Sequence, residues 1–141
     1  MGRGTYTLLI ELLSGLRLEF GAAGERALSA GSYAYTGSAL GPGGFSRLDR
    51  HREVATGARA VQHWHIDYLL GAEEARVVGD VRSADADIEC AVAQTLADAF
   101  PVVAGIGASD CNCHSHLVHA ADETALRDAA RAAHDAARLD S

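Results

Sequence analysis

Tyr6, Tyr35, Arg47 and Glu89 are residues of the kinds that handle a phosphate or a metal ion, set at wide intervals along the chain. A guanidinium is a rigid fork of donors that matches phosphate oxygens. A phenol has an unperturbed pKa of about 10, so it takes a proton from water at neutral pH only with cationic help nearby. Arg47 is followed by Arg50, His51 and Arg52. Positions 47, 50 and 51 are three and four apart, so on a helix they share one face and form a candidate phosphate clamp. The competing explanation is a solvated face whose arginines pair with Asp49 and Glu53. Spacing alone does not separate the two.

Glu89 precedes Val92, Ala93, Leu96 and Phe100 at helical intervals, so it falls on their apolar stripe. A carboxylate held inward needs a metal, an arginine or a backbone donor. Its bland alternative is a first-turn carboxylate that complements the helix dipole.

Ahead of the arginines stand Gly37, Gly41, Gly43 and Gly44. They form no nucleotide cradle. A P-loop closes on Lys-Ser/Thr, and all 12 basic residues here are arginine; nor does the order fit G-x-G-x-x-G. These glycines instead turn the chain from the Tyr35 segment into the helix that carries Arg47.

Those residues need a scaffold, and 141 residues with 48% hydrophobic and 22% charged content suffice for one globular domain with a real core. No apolar run is long enough to span a membrane as a helix, and the start does not read as a signal peptide. The odd cysteine number, Cys90, Cys111 and Cys113, favours a reducing, cytoplasmic setting. A formal charge of -7 runs against the basic balance of nucleic-acid binders. The abundance of alanine, aspartate and arginine is that of a GC-rich genome. In concentrated salt an acidic surface aids solubility, and phosphate attraction is screened at long range.

The alternation in "TYTLLIEL" predicts a strand with Tyr6, Leu8, Ile10 and Leu12 on one face. "LRLEF" (16–20) reads as the strand returning from it in a hairpin, and "GAAGERALSAG" as a further turn with room for a short strand. "SYAYTGS" predicts a strand with Tyr33, Tyr35 and Gly37 on one side. A helix is expected over "GFSRLDRHREVATG", ending at Gly57. "HWHIDYLLG" fits a strand or a short helix, and "ARVVGDVRS" a strand. "DADIECAVAQTLADAF" predicts a helix opened by acidic residues and stopped by Pro101. A closing strand is expected around 115–119 and a helix from Asp122 to Leu139. The expected fold is α+β: a small antiparallel or mixed sheet flanked by helices, with residues 1–120 as the body and 121–141 as a C-terminal helix of the same domain.

Together these residues resemble the GIY-YIG nuclease superfamily. Its first signature appears as Gly4-Thr5-Tyr6 and its second as Tyr35-Thr36-Gly37; Arg47 matches the arginine of the following helix, His51 its Tyr or His, and Glu89 the metal-binding glutamate. With "RLDRH", "HWHIDYLL", "DIECAVA" and "GIGASDCNCHSHL", the chain looks similar to a branch whose members occur alone or fused to endonuclease-III-like DNA glycosylases. The likeness covers roughly residues 4 to 119. Tyr6 and Tyr35 are 29 positions apart, more than in compact relatives, which implies an extra hairpin between the signatures. The late asparagine of the superfamily has no clear match; Asn112 lies in the right region.

The resemblance implies a GIY-YIG-like fold and a metal-dependent endonuclease acting on DNA in repair or processing, alone or beside a DNA glycosylase or other repair protein. Glu89 would hold Mg²⁺ or Mn²⁺. Tyr6 would position or deprotonate the attacking water and Tyr35 would hydrogen-bond the water or phosphate. Arg47 would stabilise charge developing on the phosphate, and His51 would assist proton transfer or orientation. Arg50, Arg52, His63 and His65 would contact DNA. The competing classes are a nucleic-acid-binding module that kept the fold and lost catalysis, and a metal-binding structural domain.

The third class rests on "SDCNCHSH". In an extended strand Cys111 and Cys113 face one way while His114 and His116 face the other, and C-x-C is tighter than the usual zinc spacing. Buried thiols and hydrogen-bonded histidines are the preferred reading over Zn²⁺. In "HWHIDYLL", His63, His65 and Asp67 share a side if the segment is a strand; they line a groove or orient Trp64 and Tyr68 in the core.

Overall fold

The alternating segment at the start is a strand, β1 (Gly4–Leu12), and every residue in it except Glu11 is buried. Such burial on both sides belongs to a strand at the middle of a sheet. In the computed structural model, which describes residues 4–19, 24–39, 44, 69, 72, 74–103 and 116–140, β1 is flanked on both edges. The other elements are β2 (Leu16–Glu19), β3 (Glu25–Leu28), β4 (Gly31–Ala39), β5 (Ala75–Ala84), α1 (Glu89–Ala99), β6 (Leu117–Ala120) and α2 (Glu123–Asp140). The fold is α+β. Strands run in the order β5-β1-β4-β6, every neighbouring pair antiparallel, while β2 and β3 form a separate two-stranded sheet.

The ribbon accounts for the long interval between Tyr6 and Tyr35: the extra hairpin is present, inserted between β1 and β4. One pairing differs from expectation. β2 returns against β3, from Leu16 opposite Leu28 to Glu19 opposite Glu25, and not against β1. Both edges of β1 are already taken, by β4 from Gly4 opposite Ala39 to Leu12 opposite Gly31, and by β5. Against β5 the register slips once: Leu9 faces Gly79 and Ile10 faces Val77, leaving Val78 as a bulged residue with 36% exposure.

Alternation along the central strands divides the core in two. Tyr6, Leu8, Ile10 and Leu12 of β1 and Tyr33 and Tyr35 of β4 face one way, where Leu28 of the ribbon, Leu69 and Leu117 join them. Leu9 and Ala34 face the other way and meet Ile88, Val92 and Leu96 of α1 with Leu126, Ala133 and Ala137 of α2. Full burial of a Leu or Ile side chain contributes about 1.5–3 kcal/mol, so these two clusters carry the fold.

α1 starts later than its acidic approach implies. Asp85 has a positive φ of 56°, and Ile88 is the N-cap without a side-chain cap of its own. Glu89 is the acidic residue of the first turn, and Phe100 leaves the helix in an extended conformation just before Pro101. The stretches carrying Arg47, Arg50, His51 and Arg52, His63, His65 and Asp67, and Cys111, Asn112 and Cys113 lie outside the described residues. No helix among the described residues is long and apolar enough to cross a membrane.

Candidate functional site

The two signature tripeptides lie side by side on β1 and β4. Tyr6 stands opposite Gly37, and Tyr35 opposite Leu8, so the two phenols are diagonal neighbours on one face. Gly37 is there because the Tyr6 ring covers it: a Cβ at position 37 would lie 2.5 Å from the Tyr6 Oη and 2.6 Å from its Cζ. Gly4 answers to the other neighbour, since a Cβ on it would overlap the backbone carbonyl of Ser83 on β5. The signature glycines are thus imposed by close approach on both sides of β1. The face is closed in this conformation, with Tyr6 at 1% and Tyr35 at 8% exposure. Tyr33, two residues before Tyr35, donates its hydroxyl to the Ser29 carbonyl at 2.7 Å, and burial raises its pKa above the ordinary value. It is a structural tyrosine.

The middle residues of both tripeptides point the other way. Thr5 donates its hydroxyl to the Ala86 carbonyl at 2.8 Å and accepts the Ile88 N–H at 3.1 Å. That second bond satisfies an N–H at the helix start which Ile88 cannot satisfy itself. The first turn of α1, and with it Glu89, is thereby tied to β1 one residue from Tyr6. Thr36 offers its backbone N–H to the His116 carbonyl at 3.0 Å, which fixes His116 beside β4.

These two ties bring Glu89 and His116 together. The His116 Nδ1 lies 3.6 Å from the Glu89 Oε2, with the imidazole 2% and the carboxylate side chain 21% exposed. Cys90, exposed on the next position of α1, completes a group whose ligand-type atoms all fall within 4.8 Å of one another. Thus Tyr6 and Tyr35 meet on one face, while Glu89 sits on a helix that covers the opposite face and meets Cys90 and His116 there. The inward stripe expected for Glu89 is present, for Val92, Ala93 and Leu96 are buried.

A family model described as "Domain of unknown function DUF123" matches residues 5–139. The chain belongs to that family. No curated protein matches it, and no solved structure does. The DUF123 match takes in Thr5 and Tyr6 of the first tripeptide, all of the second, Glu89, His116 and nearly all of α2.

Within that span lies a site that was missed in the sequence. His134 of α2 is 1% exposed and sits between Thr7, 2.8 Å from its Nε2, and Ser83, 2.7 Å from its Nδ1; Thr7 and Thr36 share a further bond of 3.0 Å. Burial, helped by the Arg138 charge and opposed by Asp135, lowers the His134 pKa to about 4. The imidazole is therefore neutral at pH 7, donating through one nitrogen and accepting through the other. Its signal was available: position 134 falls on the buried stripe of Leu126, Ala130, Ala133 and Ala137. The Cys90–His116 encounter had no such local signal, because it depends on which strands pair.

Proposed function

We propose that this chain is a metal-dependent endonuclease that hydrolyses DNA phosphodiester bonds, of the GIY-YIG kind, working inside the cell in repair or processing of DNA. The observation that carries the reading is the mutual placement of the signatures. Tyr6 lies over Gly37 on adjoining central strands, and the helix bearing Glu89 hangs from Thr5 of the first signature.

The Glu89 carboxylate fits Mg²⁺ or Mn²⁺; the thiol and imidazole beside it suit softer ions better. A divalent ion bound there would supply charge neutralisation at a scissile phosphate. Glu89 would hold it. Tyr6 would orient water or accept its proton, and Tyr35 would hydrogen-bond water or phosphate. Arg47 and His51 keep the roles that the resemblance implies, phosphate stabilisation and proton transfer or orientation. Arg50, Arg52, His63 and His65 would contact the DNA, and a DNA glycosylase or other repair protein is a fitting partner.

A non-cleaving nucleic-acid-binding module is the second reading, and the burial of Tyr6 and Tyr35 and their place on the face opposite the Glu89 helix favour it, since a catalytic phenol must meet its water beside the metal. Cleavage of plasmid, branched and single-stranded DNA with Mg²⁺ or Mn²⁺, over a range of salt, decides between them. Glu89→Ala should abolish metal-dependent cleavage while circular dichroism and the unfolding midpoint stay close to wild type. Undiminished nicking by that variant would sink the nuclease reading, and absence of cleavage by the wild type on every substrate would favour binding alone.

A further inference from the structure

We infer that Glu89, Cys90 and His116 form one binding site for a divalent transition-metal ion of the Zn²⁺ or Co²⁺ class, bound in preference to Mg²⁺. This rests on the proposed role of Glu89 as a metal ligand, and names the ion that its neighbours select. The donors are one carboxylate oxygen, one thiol sulfur and one imidazole nitrogen, all within 4.8 Å of each other. Sulfur and imidazole ligands suit zinc-class ions, whereas Mg²⁺ takes oxygen and dehydrates reluctantly.

The spacing admits an ion between the donors. The 3.6 Å between His116 Nδ1 and Glu89 Oε2 is too long for a hydrogen bond. Two ligands at zinc distances on a tetrahedral ion stand about 3.3 Å apart. Adjacent ligands on a Mg²⁺ octahedron stand only about 2.9 Å apart. The observed 3.6 Å lies within a small side-chain rotation of either spacing, so the donor types carry the preference. Among the described residues three protein donors converge, and a tetrahedral ion takes four ligands.

The site is held in advance of any ion. Glu89 and Cys90 open α1, whose first turn is anchored through the Thr5 hydroxyl. His116 is anchored through its own carbonyl to the Thr36 N–H. The two central residues of the tripeptides therefore fix the two arms of the ligand set, one from each strand.

The test is metal binding, read separately from cleavage. Co²⁺ added to the full chain should give a thiolate-to-cobalt charge-transfer band, and Zn²⁺ should remove it at equal concentration. A large excess of Mg²⁺ should leave it in place. Cys90→Ser should lose the band while still folding, since Cys90 is exposed. Glu89→Gln and His116→Gln should each weaken Co²⁺ binding by roughly tenfold or more, the scale set by losing even a ligand's supporting hydrogen bond. The double variant Cys111→Ser, Cys113→Ser should keep the band. A band that survives Cys90→Ser, disappears in the double variant, or yields to Mg²⁺ overturns the inference. Any of those results leaves the nuclease reading standing. Conversely, a Cys90-dependent band with no cleavage under any metal upholds the site and removes the nuclease.

Discussion

Both faces of the β1–β4 pair are closed to solvent, yet they are held by different means. On one, Tyr6, Tyr33 and Tyr35 pack among leucines and the Tyr6 ring lies over a glycine. On the other, Thr5, Thr7, Thr36 and Ser83 are buried hydroxyls: Thr5 reaches the start of α1, Thr7 and Ser83 reach His134 of α2, and Thr36 bonds Thr7. The first face depends on shape and the second on hydrogen bonding. Shape fails when an atom is added, because neighbours must move. A buried network fails when a donor, an acceptor or a charge is wrong. The tripeptides thus serve both faces: glycine and tyrosine set the packing on one, while on the other Thr5 secures the start of α1 and Thr36 bonds Thr7.

The largest effects should come from adding one carbon on the tyrosine side. Gly4→Ala forces a Cβ into the Ser83 carbonyl, which is backbone of an adjoining strand and has little room to yield. A loss of about 3 kcal/mol or more is expected in urea unfolding. Gly37→Ala should cost somewhat less, about 2 kcal/mol, because the obstacle is a side chain. Combining it with Tyr6→Phe should rescue little, since Cζ remains 2.6 Å from the new carbon, whereas Tyr6→Leu should recover most of the loss. Equal rescue by both would mean that the hydroxyl, not the ring, makes the constraint.

The opposite face should answer to pH. The folded-state pKa of His134 is about 4, below the ordinary value of 6.5. Above pH 6.5 the imidazole is neutral in both states and its contribution is complete. As pH falls from 6.5 through 4, the unfolded chain takes up a proton that the folded chain resists, so stability falls by about 3 kcal/mol. Arg138 deepens that loss and Asp135 moderates it. His134→Gln, which can still donate and accept, should flatten the dependence in this window. An unchanged slope in that variant would assign the titration elsewhere.

The two faces were unequally legible in the sequence. Alternation placed Tyr6, Leu8, Ile10 and Leu12 together, and the 29-position interval implied the ribbon between the signatures. It did not reveal the partner of β2, because a short amphipathic strand carries no mark of which edge is free. Acidic residues from Asp85 onward misplaced the start of α1, because its first N–H groups are satisfied by Thr5 from another strand and not by a local cap. The network of His134 hides for a related reason. Thr7, Ser83 and His134 look like ordinary polar positions until strand order and helix packing set both hydroxyls within 2.8 Å of the imidazole. Glu89 stands out on its helical stripe with Cys90 next to it in the chain, but His116 joins them only through tertiary structure.

The smallest effect is the most local. Thr5→Val keeps the shape of the side chain and removes its hydroxyl, leaving the Ile88 N–H without its acceptor and the Ala86 carbonyl without its donor. Loss of a helix-start acceptor costs about 1 kcal/mol. The cost should be confined to the first turn of α1, where the Val92 N–H bonds the Ile88 carbonyl at 3.0 Å, so exchange at Val92 should quicken more than exchange at Leu126 of α2. Thr36→Val should spare that turn. Its hydroxyl bonds Thr7 at 3.0 Å, and the N–H that holds His116 belongs to the backbone. Matching exchange profiles for the two variants would show that the central threonines do the same work. A fast Val92 in Thr5→Val alone would show that the first signature hangs the helix and the second merely receives the histidine.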